Sequence, residues 1–247
     1  MSELCVIILA AGKGTRMKSD LQKVLHQLLG KPMIHHLVEE VRRLEPVKVL
    51  VVVGHQKEEV MQRLEGLPVE FVEQTEMRGT GDAVRRAVER LPGYAGEILV
   101  LCGDSPLLRS ETLLKLLELH RREGPAATLL TARLENPTGY GRIKRNGTGL
   151  VEAIVEQADA TDEERRITEV NSGVYVFAAP RLFETLPGLR PDNAKGEYYL
   201  TDVIKFLRTA GERVAAQVVA DPSEILGVNT PEELERARQI LARRRQS

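Results

Sequence analysis

The strongest constraint on the fold is an apolar run near the start of the chain that ends directly in a glycine-rich turn. Leu4–Leu9 is apolar throughout, which is typical of a strand buried on both faces of a parallel sheet. The turn that follows reads Ala10-Ala11-Gly12-Lys13-Gly14-Thr15-Arg16-Met17. Small residues let backbone N–H groups approach an anion closely, and the side chains of Lys13 and Arg16 would neutralise its charge. The segment favours a phosphate-binding loop, with a tight structural turn as the alternative.

Two familiar phosphate motifs do not match this turn. The P-loop of kinases and GTPases requires a glycine five residues before Gly12, where Ile7 stands. The dinucleotide fingerprint requires a third glycine, and Met17 occupies that position. The turn therefore indicates phosphate binding without specifying the kind of nucleotide enzyme.

Short apolar runs alternate with helical patterns through the first half of the chain. This alternation predicts an open, mostly parallel, doubly wound α/β sheet. The predicted strands are Leu4–Leu9, Val47–Val53, Val69–Val72 and Ile98–Cys102. The predicted helices are Pro32–Leu44, Gln56–Leu64 and Gly81–Leu91.

The pattern changes from Ala126 onward, where antiparallel pieces are predicted to form a substrate-binding lobe. A hairpin is expected over Arg142–Glu156, turning at Asn146-Gly147, a dipeptide that readily adopts positive φ. The further predicted elements are strands at Val174–Phe177 and Val214–Val219 and helices at Tyr198–Leu207 and Pro231–Arg245. No repeat or flexible linker divides the sequence, so one compact unit is expected.

Composition excludes several function classes. The 35 Lys and Arg residues nearly balance the 36 Asp and Glu residues, so no global positive field is present to hold a nucleic acid. The apolar run Cys5–Ala11, even with Leu4 before it, is far shorter than the ~20 residues that cross a bilayer. The two cysteines, Cys5 and Cys102, lie in apolar runs, as expected of buried free thiols in a reducing compartment. These features predict a cytoplasmic protein with no nucleic-acid or membrane partner.

A candidate metal ligand follows the strand at Ile98–Cys102. Asp104 comes after Gly103 at the carboxyl end of that strand, where open α/β sheets form their ligand crevice. A carboxylate near a phosphate loop is suited to Mg²⁺, which takes one or two protein oxygens and leaves the rest to water and phosphate. The alternative is an aspartate that bonds its own turn. Lys23 interrupts an apolar segment, and spacing alone leaves open whether it points into the site.

Nine short segments, spread over nearly the whole chain, carry a family resemblance. They are Leu9–Met17, Lys23–His26, Gly79-Thr80, Gly103-Asp104, Pro137–Ile143, Ile154–Glu156, Asn171–Gly173, Gly196–Asp202 and Gly227–Asn229. Together they resemble the nucleoside-triphosphate transferase (sugar-1-phosphate nucleotidylyltransferase) superfamily. The runs Thr-Gly-Tyr-Gly-Arg-Ile and Gly-Glu-Tyr-Tyr-Leu-Thr-Asp are similar to those of a narrower family, the uridylyltransferase domains of bifunctional bacterial enzymes that make UDP-N-acetylglucosamine.

The resemblance implies a Rossmann-like nucleotide-diphospho-sugar transferase fold and a Mg²⁺-dependent reaction of UTP with N-acetylglucosamine 1-phosphate that releases pyrophosphate and UDP-N-acetylglucosamine. It implies a nucleotidylyltransferase domain over 1–229, with a nucleotide part over about 1–125 and a sugar part over about 126–229, and a helical arm over 230–247. The implied nucleotide-binding residues are Leu9, Ala10, Ala11, Gly12, Gly14, Gln74, Gly79, Thr80 and Gly103. The implied catalytic residues are Arg16 and Lys23, the implied metal ligands are Asp104 and Asn229, and the implied sugar-binding residues are Gly141, Glu156, Asn171 and Asn229.

The sequence departs from the family pattern in three places. Gln22 stands where proline is frequent and Cys102 where tyrosine is common, and both changes are expected to alter packing. Gly81-Asp82 replaces a typical Ala-His pair and puts an acid near the nucleotide, which makes base selectivity less secure than the chemistry.

The alternatives are a related transferase with another sugar or nucleotide, or a non-catalytic nucleotide-sugar sensor. The hexapeptide repeats of an acetyltransferase domain are absent from this sequence, so the chain as given is expected to lack acetyl transfer. Because those repeats form the trimer in the bifunctional family, a monomer or weak oligomer is expected.

Overall fold

The computed structural model describes residues 3–246 of the chain, which contain eleven strands and eight α-helices. The strands are β1 (Leu4–Ala10), β2 (Gln27–Leu28), β3 (Lys31–Pro32), β4 (Lys48–Val53), β5 (Glu70–Glu73), β6 (Glu97–Cys102), β7 (Ala127–Arg133), β8 (Arg142–Arg145), β9 (Val151–Val155), β10 (Glu169–Ala178) and β11 (Val214–Val218). The helices are α1 (Met33–Arg42), α2 (Lys57–Arg63), α3 (Thr80–Val88), α4 (Ser110–Glu123), α5 (Asp162–Arg165), α6 (Ala179–Thr185), α7 (Asp202–Thr209) and α8 (Pro231–Arg244).

Nine of the strands form one mixed, mostly parallel sheet, as the sequence predicts. Seven of them lie in the order β11-β7-β10-β6-β1-β4-β5. Strand β1 is parallel to both of its neighbours, β4 and β6, whereas β10 is inserted antiparallel between β6 and β7. Strands β8 and β9 form the antiparallel hairpin, and β8 joins it to β10.

Both faces of the sheet are covered, which explains the uninterrupted apolar run of β1. Because successive side chains of a strand point to opposite faces, Cys5 and Ile7 belong to one buried cluster and Val6 and Ile8 to another. Helices α3, α6 and α7 supply the first cluster, and helices α1, α2 and α4 supply the second. The doubly wound arrangement therefore follows directly from the burial of β1.

Helix α8 packs against the segment that follows β1. Its buried Ala237 joins Met17 and Leu28 in a third apolar cluster. The helix begins in a capping box in which Thr230 and Glu233 bond each other's backbone N–H groups. The C-terminal arm is thus held close to the glycine-rich turn.

The predicted elements exist, but some details differ. Helix α7 begins at Asp202, so the predicted helix over Tyr198–Leu207 is wrong in its first turn. The hairpin turn is also longer than predicted, because the Asn146 side chain accepts bonds from the backbone N–H groups of Thr148 and Leu150, both at 3.0 Å. Positive φ therefore falls on Gly149 and not on the Asn146-Gly147 pair. Helices α4, α5 and α6 and strands β2, β3 and β7 were not predicted.

Candidate active site

The candidate site lies at the carboxyl ends of β1 and β6, where the strand order of the sheet reverses. The register pairs Leu9 with Cys102, and the Gly103 N–H donates to the Leu9 carbonyl at 2.9 Å. Chain segments leaving adjacent parallel strands in opposite directions create a crevice at such a point. The glycine-rich turn and Asp104 form the two sides of this crevice.

A cavity of about 260 Å³ occupies the crevice. It is lined by nine of the predicted site residues, namely Leu9, Ala10, Ala11, Gly12, Lys23, Gln74, Gly79, Thr80 and Asp104. Residues from positions 9–12, 74–80 and 104 are thereby brought together around one space. The sugar-side residues Gly141 and Asn171 lie outside this cavity's lining.

Gly14 sets the shape of the glycine-rich turn. Its φ of +60° lies in the left-handed region, and a Cβ placed there would stand 2.5 Å from the Lys23 Cβ. Glycine is thus required both by the backbone conformation and by the close approach of Lys23. At Gly12 a Cβ would meet nothing within 4 Å, so the backbone there is open to a ligand. Gly14 therefore places Lys23, and Gly12 leaves the backbone accessible.

Gln22 fastens the turn to the segment that carries Lys23. Its side chain is only 1% exposed, and its amide Nε2 donates to the carbonyls of Ala10 at 3.0 Å and Gly12 at 3.1 Å. Its Oε1 accepts from the Val24 N–H at 2.7 Å. The glutamine at this position therefore acts as a hydrogen-bonded clamp. Sequence reasoning missed this role because a glutamine gives no signal of a long-range partner.

Lys23, Asp104 and Asn229 meet at the rim of the cavity. The Lys23 ammonium forms an ion pair with the Asp104 carboxylate and donates to the Asn229 Oδ1 at 2.9 Å. The three residues lie far apart in the sequence. Asn229 lies in the loop before α8, where its backbone N–H donates to the Oε2 of Glu233, in the first turn of α8, at 2.7 Å. Lys23 therefore points into the site, which spacing alone left open.

The far end of the cavity is formed where α3 begins. The Gly81 N–H donates to the Tyr198 carbonyl at 2.7 Å, and the Leu200 N–H donates to Thr80 Oγ1 at 3.1 Å. The Gly-Glu-Tyr-Tyr-Leu-Thr-Asp run thus lies directly against the segment at Gly79. Its irregular backbone before α7 serves this contact, which explains why the helix starts late.

The three predicted sugar-side residues other than Asn229 also lie together. The Asn171 N–H donates to the Gly141 carbonyl at 2.8 Å, and a Cβ on Gly141 would lie 3.5 Å from Glu156 Oε1. Glu156 Oε1 accepts from Thr201 Oγ1 at 3.1 Å. The hairpin, β10 and the segment before α7 therefore meet around Gly141.

The side chains of Glu156 and Cys102 both have raised pKa values. Burial raises the pKa of the Glu156 carboxyl, with the Asp159 and Asp202 carboxylates adding to the shift and the Thr201 hydroxyl opposing it. Burial, followed by the Asp104 carboxylate, raises the pKa of the Cys102 thiol to about 12. Its Sγ lies 3.9 Å from the Gly173 carbonyl. Cys102 is therefore a protonated packing group between the two sides of the site.

Two of the predicted residues stand apart from this arrangement. Arg16 is exposed in the 3₁₀ turn Thr15–Met17 and does not line the cavity. Gly103 packs under the crevice, where a Cβ would meet the Leu9 carbonyl at 3.1 Å. The roles of both residues stay predictions.

The described residues offer oxygen ligands and not a dense metal cluster. Within residues 3–246, no group of three or more His, Cys, Asp and Glu side chains is placed to hold a metal ion. The converging oxygens of Asp104 and Asn229 are one carboxylate and one amide, which suit a hard cation that also binds phosphate. In the same part of the chain, none of the helices has the length and apolarity to cross a membrane.

Comparison with known proteins defines the class. The chain belongs to the family of MobA-like NTP transferase domains, whose model matches residues 6–214. A solved UDP-glucose pyrophosphorylase complexed with UDP-glucose superimposes with a TM-score of 0.77 at 19% identity, covering 99% of this chain and 100% of that one. The chain thus has the fold of the sugar nucleotidyltransferases and belongs by sequence to the MobA-like NTP transferase domains.

Curated sequences give a more particular likeness. The chain is 50% identical over 244 residues to the bifunctional protein GlmU of Halalkalibacterium halodurans, and equally to that of Streptococcus suis. In both cases the match covers 99% of this chain and 53% of the relative. The chain therefore spans about half the length of the curated relatives it matches. These matches confirm the family resemblance read from the sequence.

Proposed function

We propose that the chain is a uridylyltransferase that joins UTP and N-acetylglucosamine 1-phosphate into UDP-N-acetylglucosamine and pyrophosphate. The observation that carries the proposal is the meeting of Lys23, Asp104 and Asn229 at the rim of the loop-lined cavity. A lysine among oxygen ligands beside a phosphate-binding loop is suited to bringing two phosphates together. The family resemblance of the sequence supplies the choice of uridine and of the amino sugar.

The side chains at the rim fit the Mg²⁺ ion that the family resemblance implies. Asp104 and Asn229 both direct oxygens toward the same cation, the ammonium of Lys23, so the pair is already arranged to hold positive charge. Mg²⁺ bound there would neutralise phosphate charge as a Lewis acid. The remaining ligands would come from water and the substrate phosphates, as is usual for this ion.

The proposed reaction needs charge compensation more than proton transfer. A phosphate monoester has its second pKa near ~6, so the attacking sugar phosphate is mostly dianionic at neutral pH. Two like charges at ~4 Å repel by ~1 kcal/mol in water but by ~4 kcal/mol at an effective dielectric of ~20. Lys23, assisted by Arg16 if it folds over the bound triphosphate, would offset this repulsion and stabilise charge in the transition state.

The remaining residues would bind and orient the substrates. Backbone groups of Leu9–Gly12 would contact the phosphates and ribose, and Gln74 with Gly79 and Thr80 would hold the base. Glu156 and Asn171 would bind the sugar hydroxyls and the N-acetyl group beside Gly141. The partners of the chain are then small molecules in the cytoplasm, and a monomeric or weakly associated state is part of the proposal.

The decisive experiment is a pyrophosphate-release assay with UTP and N-acetylglucosamine 1-phosphate, run with Mg²⁺ and with excess EDTA. We expect turnover only with the metal. The assay is repeated over four nucleoside triphosphates and three sugar phosphates, because preference for another pair would replace this proposal with a related transferase. Binding of UDP-sugar in calorimetry without any metal-dependent pyrophosphate release would instead identify a sensor.

A further inference from the structure

A buried carboxylate lies directly behind the residue proposed to read the base. Asp82, in the first turn of α3, is 4% exposed, and Gln74 is also 4% exposed. The start of a helix favours negative charge because of the aligned backbone dipoles. Asp82 does not line the cavity, whereas Gln74 does.

The two donor hydrogens of the Gln74 amide are both in use. Nε2 donates to Asp82 Oδ2 at 2.8 Å and to the Gly79 carbonyl at 3.1 Å. A primary amide has two N–H donors and one carbonyl acceptor, so only Oε1 is left for a ligand.

The orientation of the amide is set by its partners. An ionised carboxylate and a carbonyl only accept hydrogen bonds. If the Gln74 amide were flipped, its Oε1 would face these two acceptors, and its N–H groups would lose both hydrogen bonds. An unmade bond to a buried charged group is costly. Asp82 and the Gly79 carbonyl therefore fix Gln74 with an acceptor facing the cavity.

We propose that Asp82 is a positioning residue that makes this site select uracil over cytosine. Uracil carries a hydrogen on N3 and donates to the fixed Oε1, whereas cytosine presents a lone pair at N3 and is repelled. The inference rests on the proposed function in that the cavity holds a pyrimidine nucleotide with its base at Gln74. It adds the reason why one pyrimidine is preferred.

The test compares the binding of UDP and CDP to the full chain by titration calorimetry, with UTP and CTP turnover measured in parallel. In wild type we expect UDP to bind about 10- to 100-fold more tightly than CDP, the range of one good bond replaced by a repulsive contact. Asp82→Asn is nearly isosteric and presents either an acceptor or a donor to Gln74. It should reduce the preference to within about threefold, mostly by strengthening CDP binding.

A matched control and a second variant separate positioning from general damage. Glu89→Gln makes the same chemical change at the exposed C-cap of α3 and should keep the full preference. Gln74→Met removes the reading amide, so it should abolish the preference, and adding Asp82→Asn to it should change the UDP-to-CDP ratio no further. Such non-additivity is expected of residues acting through one another. A UDP-to-CDP ratio that Asp82→Asn still changes in the Gln74→Met background would contradict the inference.

The outcomes distinguish this inference from the proposed function. An Asp82→Asn protein, folded by circular dichroism, that keeps the wild-type UDP preference would overturn the inference, and so would a wild type that binds both nucleotides equally. Selective UDP binding without pyrophosphate release from any substrate pair would overturn the proposed function and leave the inference standing. Failure of wild type to bind either nucleotide would overturn both.

Discussion

The proposed nucleotide side and the proposed sugar side of the site are constructed differently. The nucleotide side is one continuous turn, Leu9–Gly12, whose backbone faces the cavity and whose shape depends on Gly14 and the Gln22 clamp. The sugar side joins Glu156, which directly follows strand β9, and Asn171 from strand β10. Backbone geometry therefore governs the first side and side-chain chemistry the second, so substitutions should fail in different ways on the two sides.

The largest expected effect on turnover comes from Lys23 and Asp104, which lie at the junction of the two sides. Lys23→Ala or Asp104→Asn should lower turnover by about 100- to 1,000-fold, because a preorganised charge at the reacting centre is lost. The measurement is steady-state pyrophosphate release, with circular dichroism to show that the fold is kept. Lys31→Ala breaks an exposed ion pair with Glu39 and should leave turnover unchanged. Turnover within tenfold of wild type for both junction variants would refute the assigned roles.

Backbone control of the nucleotide side is tested by two glycine substitutions. Gly14→Ala and Gly30→Ala both place a side chain at positive φ, with a strain of about 1–2 kcal/mol each, but only Gly14 lies against Lys23. Both variants should unfold at lower urea concentration, and only Gly14→Ala should also lose turnover, by about tenfold or more. Equal activity of the two variants would show that the turn does not position Lys23.

Side-chain control of the sugar side is tested at Glu156. Glu156→Gln should raise the KM for the sugar phosphate by about tenfold or more, since bonds to a charged acceptor are lost. Glu152→Gln, an exposed change in strand β9, which Glu156 directly follows, is the control and should leave this KM unchanged. A KM for the sugar phosphate that Glu156→Gln leaves unaltered would remove the residue from the sugar side.

The same variant has a pH-dependent effect on stability. The pKa of Glu156 is raised in the folded state, so the folded chain holds this proton more tightly than the unfolded chain does. Wild type consequently loses stability as pH rises through the unfolded and then the folded pKa. Glu156→Gln should raise the Tm more at pH 8 than at pH 4. An equal shift at both pH values would show that ionisation of this carboxyl does not oppose folding.

The smallest expected effect compares two capping boxes. Thr161 caps the exposed helix α5, and Thr230 caps α8 directly after Asn229. Thr→Ala at either site should cost about 1 kcal/mol or less of unfolding free energy, measured in urea. Only Thr230→Ala should also raise the Mg²⁺ concentration for half-maximal turnover, by a few-fold, because the cap holds the loop that carries Asn229. If Thr161→Ala raised this Mg²⁺ concentration equally, the effect would not be due to the position of Asn229.

Much of the fold was predictable because its signals are local. A few consecutive residues are enough to predict the apolar run of β1, the helical period of α1 and the strand before Asp104. Helix α4 was missed although its buried Leu113, Leu116 and Leu117 follow a helical spacing. The turn at Asn146 was misjudged because a side chain bonded the backbone several residues away, which a dipeptide pattern does not show.

The site was predicted mainly through resemblance, and its internal contacts were not. Spacing left the direction of Lys23 open, since its partners Asp104 and Asn229 lie 81 and 206 residues away. Gln22 and Asp82 were seen only as departures from a pattern, and Gln74 only as an implied nucleotide-binding residue. Their hydrogen bonds depend on which strands are neighbours, and no short sequence window contains that information.

By itself, the sequence determined a doubly wound α/β chain with a glycine-rich turn at the end of its first strand, because strand burial and turn chemistry are local properties. Only the tertiary structure decided which distant side chains face one another: Lys23 with the two oxygen ligands, Gln22 with the turn, and Asp82 with Gln74. The reason is that the directions of these bonds depend on sheet order and register, which emerge when both faces of the sheet are packed at once.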